Sequence, residues 1–152
     1  MQLKSADDLA RMRDAGRVVR AVLDEVAAAA VTGVTTGELD RLAEDRTRAL
    51  GAVPAFKGYL GYPASICISV NDEVVHGIPS AHRVLRDGDL VGLDFGAIVG
   101  GFHGDAAETV VVGQATPEAL RLVQATREAL AAGVAAAVVG GRLGDIGAAV
   151  QR

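Results

Sequence analysis

The sequence predicts an α+β chain in which paired antiparallel strands near the middle are preceded and followed by helices. Three observations carry that expectation. The stretch Leu90 to Val112, LVGLDFGAIVGGFHGDAAETVVV, reads as two strands turning back at Gly100-Gly101. Ahead of it, two segments open with capping-box residues and continue with apolar side chains at helical spacing. Behind it, Thr116-Pro117-Glu118 supplies an N-cap, a proline at the first helical position and an acid in the first turn.

Taken in order, Ser5 with Asp8 starts the first helix, and Leu9, Met12, Val19, Leu23 and Val26 form its apolar stripe until Thr32-Gly33. Thr35 with Glu38 starts the second, which carries Leu39, Leu42, Ala43 and Leu50 and stops at Gly51. From Ala52 the period changes, with turn residues first and a strand over about Ser65 to Val70. The third helix is expected to run to Gly140-Gly141, and Leu143, Ile146, Ala149 and Val150 continue at helical spacing.

Composition bounds the function. Of 152 residues half are hydrophobic but only 3% aromatic, so the core is built from Ala, Val and Leu. A net charge of −4 with no basic run argues against nucleic acid or an acidic membrane surface as the main partner. The single cysteine, Cys67, allows no internal disulfide and no cysteine zinc site, and fits a reducing compartment. The N-terminal residues have no apolar signal core, and no apolar run is long enough to span a bilayer.

The hairpin carries the chemistry. With a two-residue loop, a turn type that needs positive φ and hence glycine, Val99 faces Phe102, Gly96 faces Asp105 and Asp94 faces Ala107. Asp94 and Asp105 then share a face diagonally, about 7–8 Å apart at Cβ. A three-residue loop would separate them. Gly92 and Gly96 leave Asp94 open, while Val91, Leu93, Phe95, Ala97 and Val99 form the core face. Burying an ionised carboxylate is expensive unless it is paired or binds metal. No Lys or Arg lies between Arg86 and Arg121, so a hard divalent cation is the simplest local partner, with Mn, Mg, Co, Fe(II) or Zn all compatible with oxygen ligands. The other reading is that Asp105 ends a turn and Asp94 meets an arginine from elsewhere.

Other candidates have two readings each. Tyr59 and Tyr62, the only tyrosines, lie in a Gly-Tyr loop that either contacts a ligand or caps the core edge. His76, after two valines and before Gly-Ile-Pro, is placed at a strand end, where a lone histidine is more often structural than catalytic. His82 reads as an exposed loop residue. His103, opposite Ile98, shares the Asp94 face as a residue behind the ligands or on the rim. Cys67 reads as a small buried hydrophobe.

Five segments then match a family in order: SADDLARMRDAGRVV, GVTTGELDRLAE, GYLGYPASICISVNDEVVHGIPS, LRDGDLVGLDFGAIVGGFHGDAAETVVVG and RLGDIGAAVQ. Together they resemble the N-terminal portion of bacterial type I methionine aminopeptidases. The resemblance covers essentially the whole chain, and HGIP followed by LDFGA and GFHGDAA is a specific combination. It implies the pita-bread (creatinase/aminopeptidase) fold, of which this chain would be the N-terminal half, with a curved antiparallel sheet and covering helices. It implies two divalent ions (Co, Mn, Fe(II) or Zn), with Asp94 and Asp105 as two of five protein ligands. His76 falls on the substrate-side histidine, and Tyr59, Tyr62, Cys67 and Phe56 fall around the pocket for the methionine side chain. Phe56 stands where some members carry Cys, Lys57 where an apolar residue is common, and Gly100 where Asp is frequent.

The implied activity is removal of the N-terminal methionine from nascent proteins by metal-activated water. The implied partners are N-terminal Met peptides and nascent chains, with the ribosome as a contact, no direct nucleic acid and no membrane, in a monomeric cytoplasmic enzyme. The remaining His and two Glu ligands of the family have no match in these residues. The sequence therefore reads as one metallopeptidase-like domain, 1–152, truncated before its second pseudo-symmetric half and inactive alone. The alternatives are a non-catalytic peptide- or protein-binding module of the same fold, an inactive fragment, or a proline-directed peptidase.

Overall fold

The computed structural model describes residues 3–152. They form two compact units, residues 3–114 and Ala115–Arg152.

In the first unit, helix α1 spans Ala6–Ala29 and begins with the expected capping box, Ser5 Oγ accepting the Asp8 N–H and the Asp8 carboxylate accepting the Ser5 N–H. Its buried stripe is Ala15, Val19, Val22, Leu23 and Val26. Leu9 and Met12, expected in that stripe, are 42% and 39% exposed. The helical period was right, but the sheet meets α1 only from Ala15 onward, so the first turns have nothing to pack against. Helix α2, Thr36–Ala49, repeats the capping box with Thr35 and Glu38 and buries Leu39 and Ala43.

Four strands form one antiparallel sheet: β1 (Val53–Pro54), β2 (Ile66–Val70), β3 (Leu90–Val99) and β4 (Phe102–Val111). β4 pairs the full length of β3, while β1 and β2 share the opposite edge, meeting β3 at Ala97–Ile98 and at Val91–Phe95 respectively. β1 has no sequence signal: it is two residues long, and its proline lacks the N–H a central strand needs. Val91, Leu93, Phe95 and Ala97 are fully buried with the α1 and α2 stripes, each large side chain contributing about 1.5–3 kcal/mol. Gly104 on β4 lies close against α1, since a Cβ there would lie 2.7 Å from the Ala15 carbonyl carbon and oxygen.

In the second unit, α3 spans Pro117–Ala136 and α4 spans Leu143–Gln151. Gly133 lets α4 approach, a Cβ there falling 2.8 Å from Val150. α3 ends four residues before the expected Gly140-Gly141. Val138 and Val139 are exposed, and two β-branched residues ahead of two glycines offer poor helix propensity without burial to compensate.

Candidate functional site

The β3–β4 hairpin closes through Gly100 and Gly101, both at positive φ, and pairs Val99 with Phe102, Gly96 with Asp105 and Asp94 with Ala107. Asp94 and Asp105 therefore project to the same face, opposite the buried Leu93 and Phe95. Asp94 is half-buried and Asp105 exposed. Burial pushes the Asp94 carboxyl above its usual range, the charge of Asp105 adds to that, and His76 opposes it. Among the described residues no Lys or Arg forms an ion pair with either carboxylate, so the arginine partner left open by the sequence is not found.

Both acids line a cavity of about 630 Å³ with Phe56, Tyr59, Tyr62, Cys67 and His76. The remaining wall, Leu60, Gly61, Pro63 and Ile78, carried no chemical signal in the sequence. Leu60 and Ile78 could have been suspected only from their places inside the Gly-Tyr loop and the HGIP run. Cys67 is directly opposite Asp94 across β2 and β3 and is 4% exposed. Burial, then the charges of Asp94 and Asp105, push its thiol up, against a hydrogen bond with Tyr62 that lowers it. A reactive thiolate is thus disfavoured.

Two sequence expectations change. Gly96 does not leave Asp94 open: a Cβ there would lie 2.7 Å from the Phe56 ring, so Gly96 is the seat of Phe56. Gly92 does stay open, with ordinary contact to Ser69 at 3.6 Å. His76 is not at a strand end but in an irregular loop, exposed, with φ +60. The preceding Val74 and Val75 are 89% and 62% exposed, so their β propensity is not used because no strand pairs with them. His82 is an exposed loop residue as expected. His103 shares the Asp105 face but is exposed and is not among the cavity-lining residues.

The loop that carries Phe56, Tyr59 and Tyr62 is fastened by α2. Asp40 accepts the backbone N–H groups of Ser65 (2.7 Å) and Ile66 (3.2 Å), fixing the start of β2. Glu44, one turn on, receives Lys57 and the Ser65 hydroxyl on the same carboxylate oxygen, with Arg48 on the other. The Lys57 and Arg48 hydrogen bonds hold the Glu44 carboxyl below its usual range. Lys57, unusual by resemblance, thus has a structural use. A smaller hollow of about 280 Å³ in the second unit, walled by residues such as Ala136, Val138 and Ile146, offers only Arg142 as a charged group. No described helix is long and apolar enough to cross a membrane.

The chain is 49% identical over 149 residues to the methionine aminopeptidase of Clostridium acetobutylicum, covering 98% of this chain and 60% of that protein. It is 52% identical over 148 residues to methionine aminopeptidase 1 of Mycobacterium tuberculosis, covering 97% of this chain and 56% of that protein. The chain therefore spans about 60% of the length of the curated relatives it matches. The crystal structure of methionine aminopeptidase from Rickettsia prowazekii superposes with a TM-score of 0.96 at 35% identity, over 99% of this chain and 60% of that one. The Thermotoga maritima enzyme gives 0.95 at 38%, over 99% and 61%. Prolidase from Pyrococcus furiosus, at 22% identity and a TM-score of 0.86, shares the fold alone. The fold is the pita-bread α+β architecture with an antiparallel sheet. Residues 10–152 match the metallopeptidase family M24, and the chain belongs to that family.

Proposed function

We propose that residues 1–152 are the first half of a pita-bread domain in a cytoplasmic aminopeptidase that removes N-terminal methionine, and that they supply part of its metal shell and most of its methionine pocket. The observation that carries the reading is the convergence of Asp94 and Asp105 with His76 and the Phe56, Tyr59, Tyr62 and Cys67 wall on one cavity.

The two carboxylates fit a divalent cation. Asp94 is held above its usual pKa by burial and by Asp105, a cost that a bound cation would offset. Asp94 and Asp105 would hold the metal, two ions in the proposed complete site. When bound, the metal supplies Lewis-acid polarisation of a carbonyl and acidification of a water. The rest falls to this chain's own groups. Phe56, Tyr59, Tyr62 and Cys67 offer an apolar wall that holds an unbranched thioether and excludes water. His76 presents an imidazole from the rim, where it can hydrogen-bond the substrate amide and keep the scissile carbonyl near the acids. His103 is assigned a place behind the ligands, through Asp105 two residues away. N-terminal Met peptides and nascent chains are the proposed substrates, and the ribosome the proposed contact of a monomeric enzyme.

The second reading is a peptide-binding module without catalysis, which would use the same cavity. A single assay separates the two. Methionine release from Met-Ala-Ser with Mn or Co should be negligible for the 152-residue chain. It should appear when the chain is joined to the remaining C-terminal 40% or so of a relative such as the Mycobacterium enzyme, and vanish on Asp94→Asn or Asp105→Asn. A joined, metal-loaded protein that binds Met peptides without cleaving them would favour the module.

A further inference from the structure

His76 has a backbone conformation that its own side chain does not favour. At φ +60 it is one of three non-glycine residues at positive φ among the described residues, a region disfavoured about tenfold for an L-residue and somewhat less for histidine. Something must hold it, and the hold is visible on the next residue. The Gly77 N–H donates to Ser69 Oγ at 3.1 Å. The Gly77 carbonyl accepts the Ile68 N–H at 2.9 Å. The Tyr62 hydroxyl lies 3.1 Å from that same carbonyl and 3.1 Å from the Ile66 carbonyl. Gly77 is pressed so closely on β2 that any Cβ would overlap the Ile68 carbonyl oxygen.

We propose that Tyr62 is a positioning residue for His76: its hydroxyl ties Gly77 to the start of β2, and this fastening keeps His76 left-handed with its imidazole at the cavity. The role is distinct from the pocket-wall role of the Tyr62 ring. The one phenolic proton alternates among the Gly77 carbonyl, the Ile66 carbonyl and the Cys67 sulfur, and each carbonyl has a second lone pair available. Burial holds the phenol far above its usual pKa, so the donor keeps its proton at any working pH. One neutral hydrogen bond is worth about fivefold in an equilibrium, the same order as the bias against the left-handed conformation, so removing the hydroxyl loosens the loop measurably even with the Ser69 and Ile68 bonds in place. The functional meaning rests on the proposed substrate role of His76, while the conformational claim does not.

The test is Tyr62→Phe in the 152-residue chain, with Tyr59→Phe as control, because Phe keeps the ring and removes only the donor. The expected result is a Gly77 amide that exchanges about fivefold faster or more, the equivalent of about 1 kcal/mol. The strong intraresidue HN–Hα cross-peak that marks positive φ at His76 should weaken at the same time. In Tyr59→Phe both should match the parent. An unchanged His76 cross-peak in Tyr62→Phe, or equal changes in both variants, overturns the proposal. If Tyr62→Phe also loses protection at the β3 amides, Ser69→Ala frees the same glycine from its other side and should give the same His76 signature. An unchanged signature there overturns the proposal too. Failure of methionine release in the joined protein would refute the functional reading and leave these spectra as they are.

Discussion

Asp94 is strained by the fold, and the strain has a sign. Burial first, and Asp105 second, raise its folded pKa above the unfolded carboxylate value. The unfolded chain therefore loses this proton at lower pH than the folded one. Stability is unaffected below the usual carboxylate range, falls as pH rises through the window up to the raised value, and stays reduced above it. In metal-free protein at pH 7, Asp94→Asn should raise stability by about 0.5–1 kcal/mol, allowing for solvent screening of a partly exposed group. That is about 1–4 °C in a melt of a chain this size, with the gain absent near pH 3. Adding Mn should stabilise the parent and not the variant. No difference at either pH would show that the carboxyl is not strained. His76→Ala should lower kcat in the joined protein while leaving bound metal unchanged, because the histidine is assigned to substrate. Loss of metal would show the role to be wrong. The shared face of the two acids could be read from sequence because Gly100-Gly101 favours a two-residue loop and, once that loop forms, strand parity does the rest. The left-handed His76 could not, because the bonds that hold it come from Tyr62, Ser69 and Ile68, which are distant in sequence and visible only once β2 is in place.

At the scale of elements, local signals were sufficient where the element closes on itself. Ser5–Asp8 and Thr35–Glu38 both form capping boxes within a single turn, so their sequences state the helix starts. Where a long-range neighbour decides, the sequence was silent. Leu9 and Met12 have the right period but no sheet beneath them, β1 exists only because β3 offers an edge, and Gly96 looked vacant until Phe56 lay over it. Gly104 is the sharpest case, a glycine in a strand whose reason is the backbone of α1 at Ala15. Gly104→Ala should push α1 off β4 and cost about 1–3 kcal/mol, as overpacking does. Gly92→Ala, which meets only ordinary contact, should change the urea midpoint by no more than about 0.5 kcal/mol. Equal effects of the two would mean that the helix is not seated there.

Across the whole chain, aromatic residues are few and unevenly spent. The sequence has three Phe, two Tyr and no Trp, and Phe56, Tyr59 and Tyr62 all line the cavity while Phe95 alone among the aromatics is fully buried in the core. The composition showed an aliphatic core in advance, yet it could not show that most of the remaining aromatic surface would gather beside two carboxylates, because that meeting depends on the pairing of β2 with β3. The consequence is optical. With no tryptophan, the protein's intrinsic ultraviolet emission comes entirely from two tyrosines in one cavity wall, so the molecule carries its own lamp inside the site. Paramagnetic Mn, bound at Asp94 and Asp105, should dim that light, diamagnetic Mg should not, and Asp94→Asn should leave it bright in either salt.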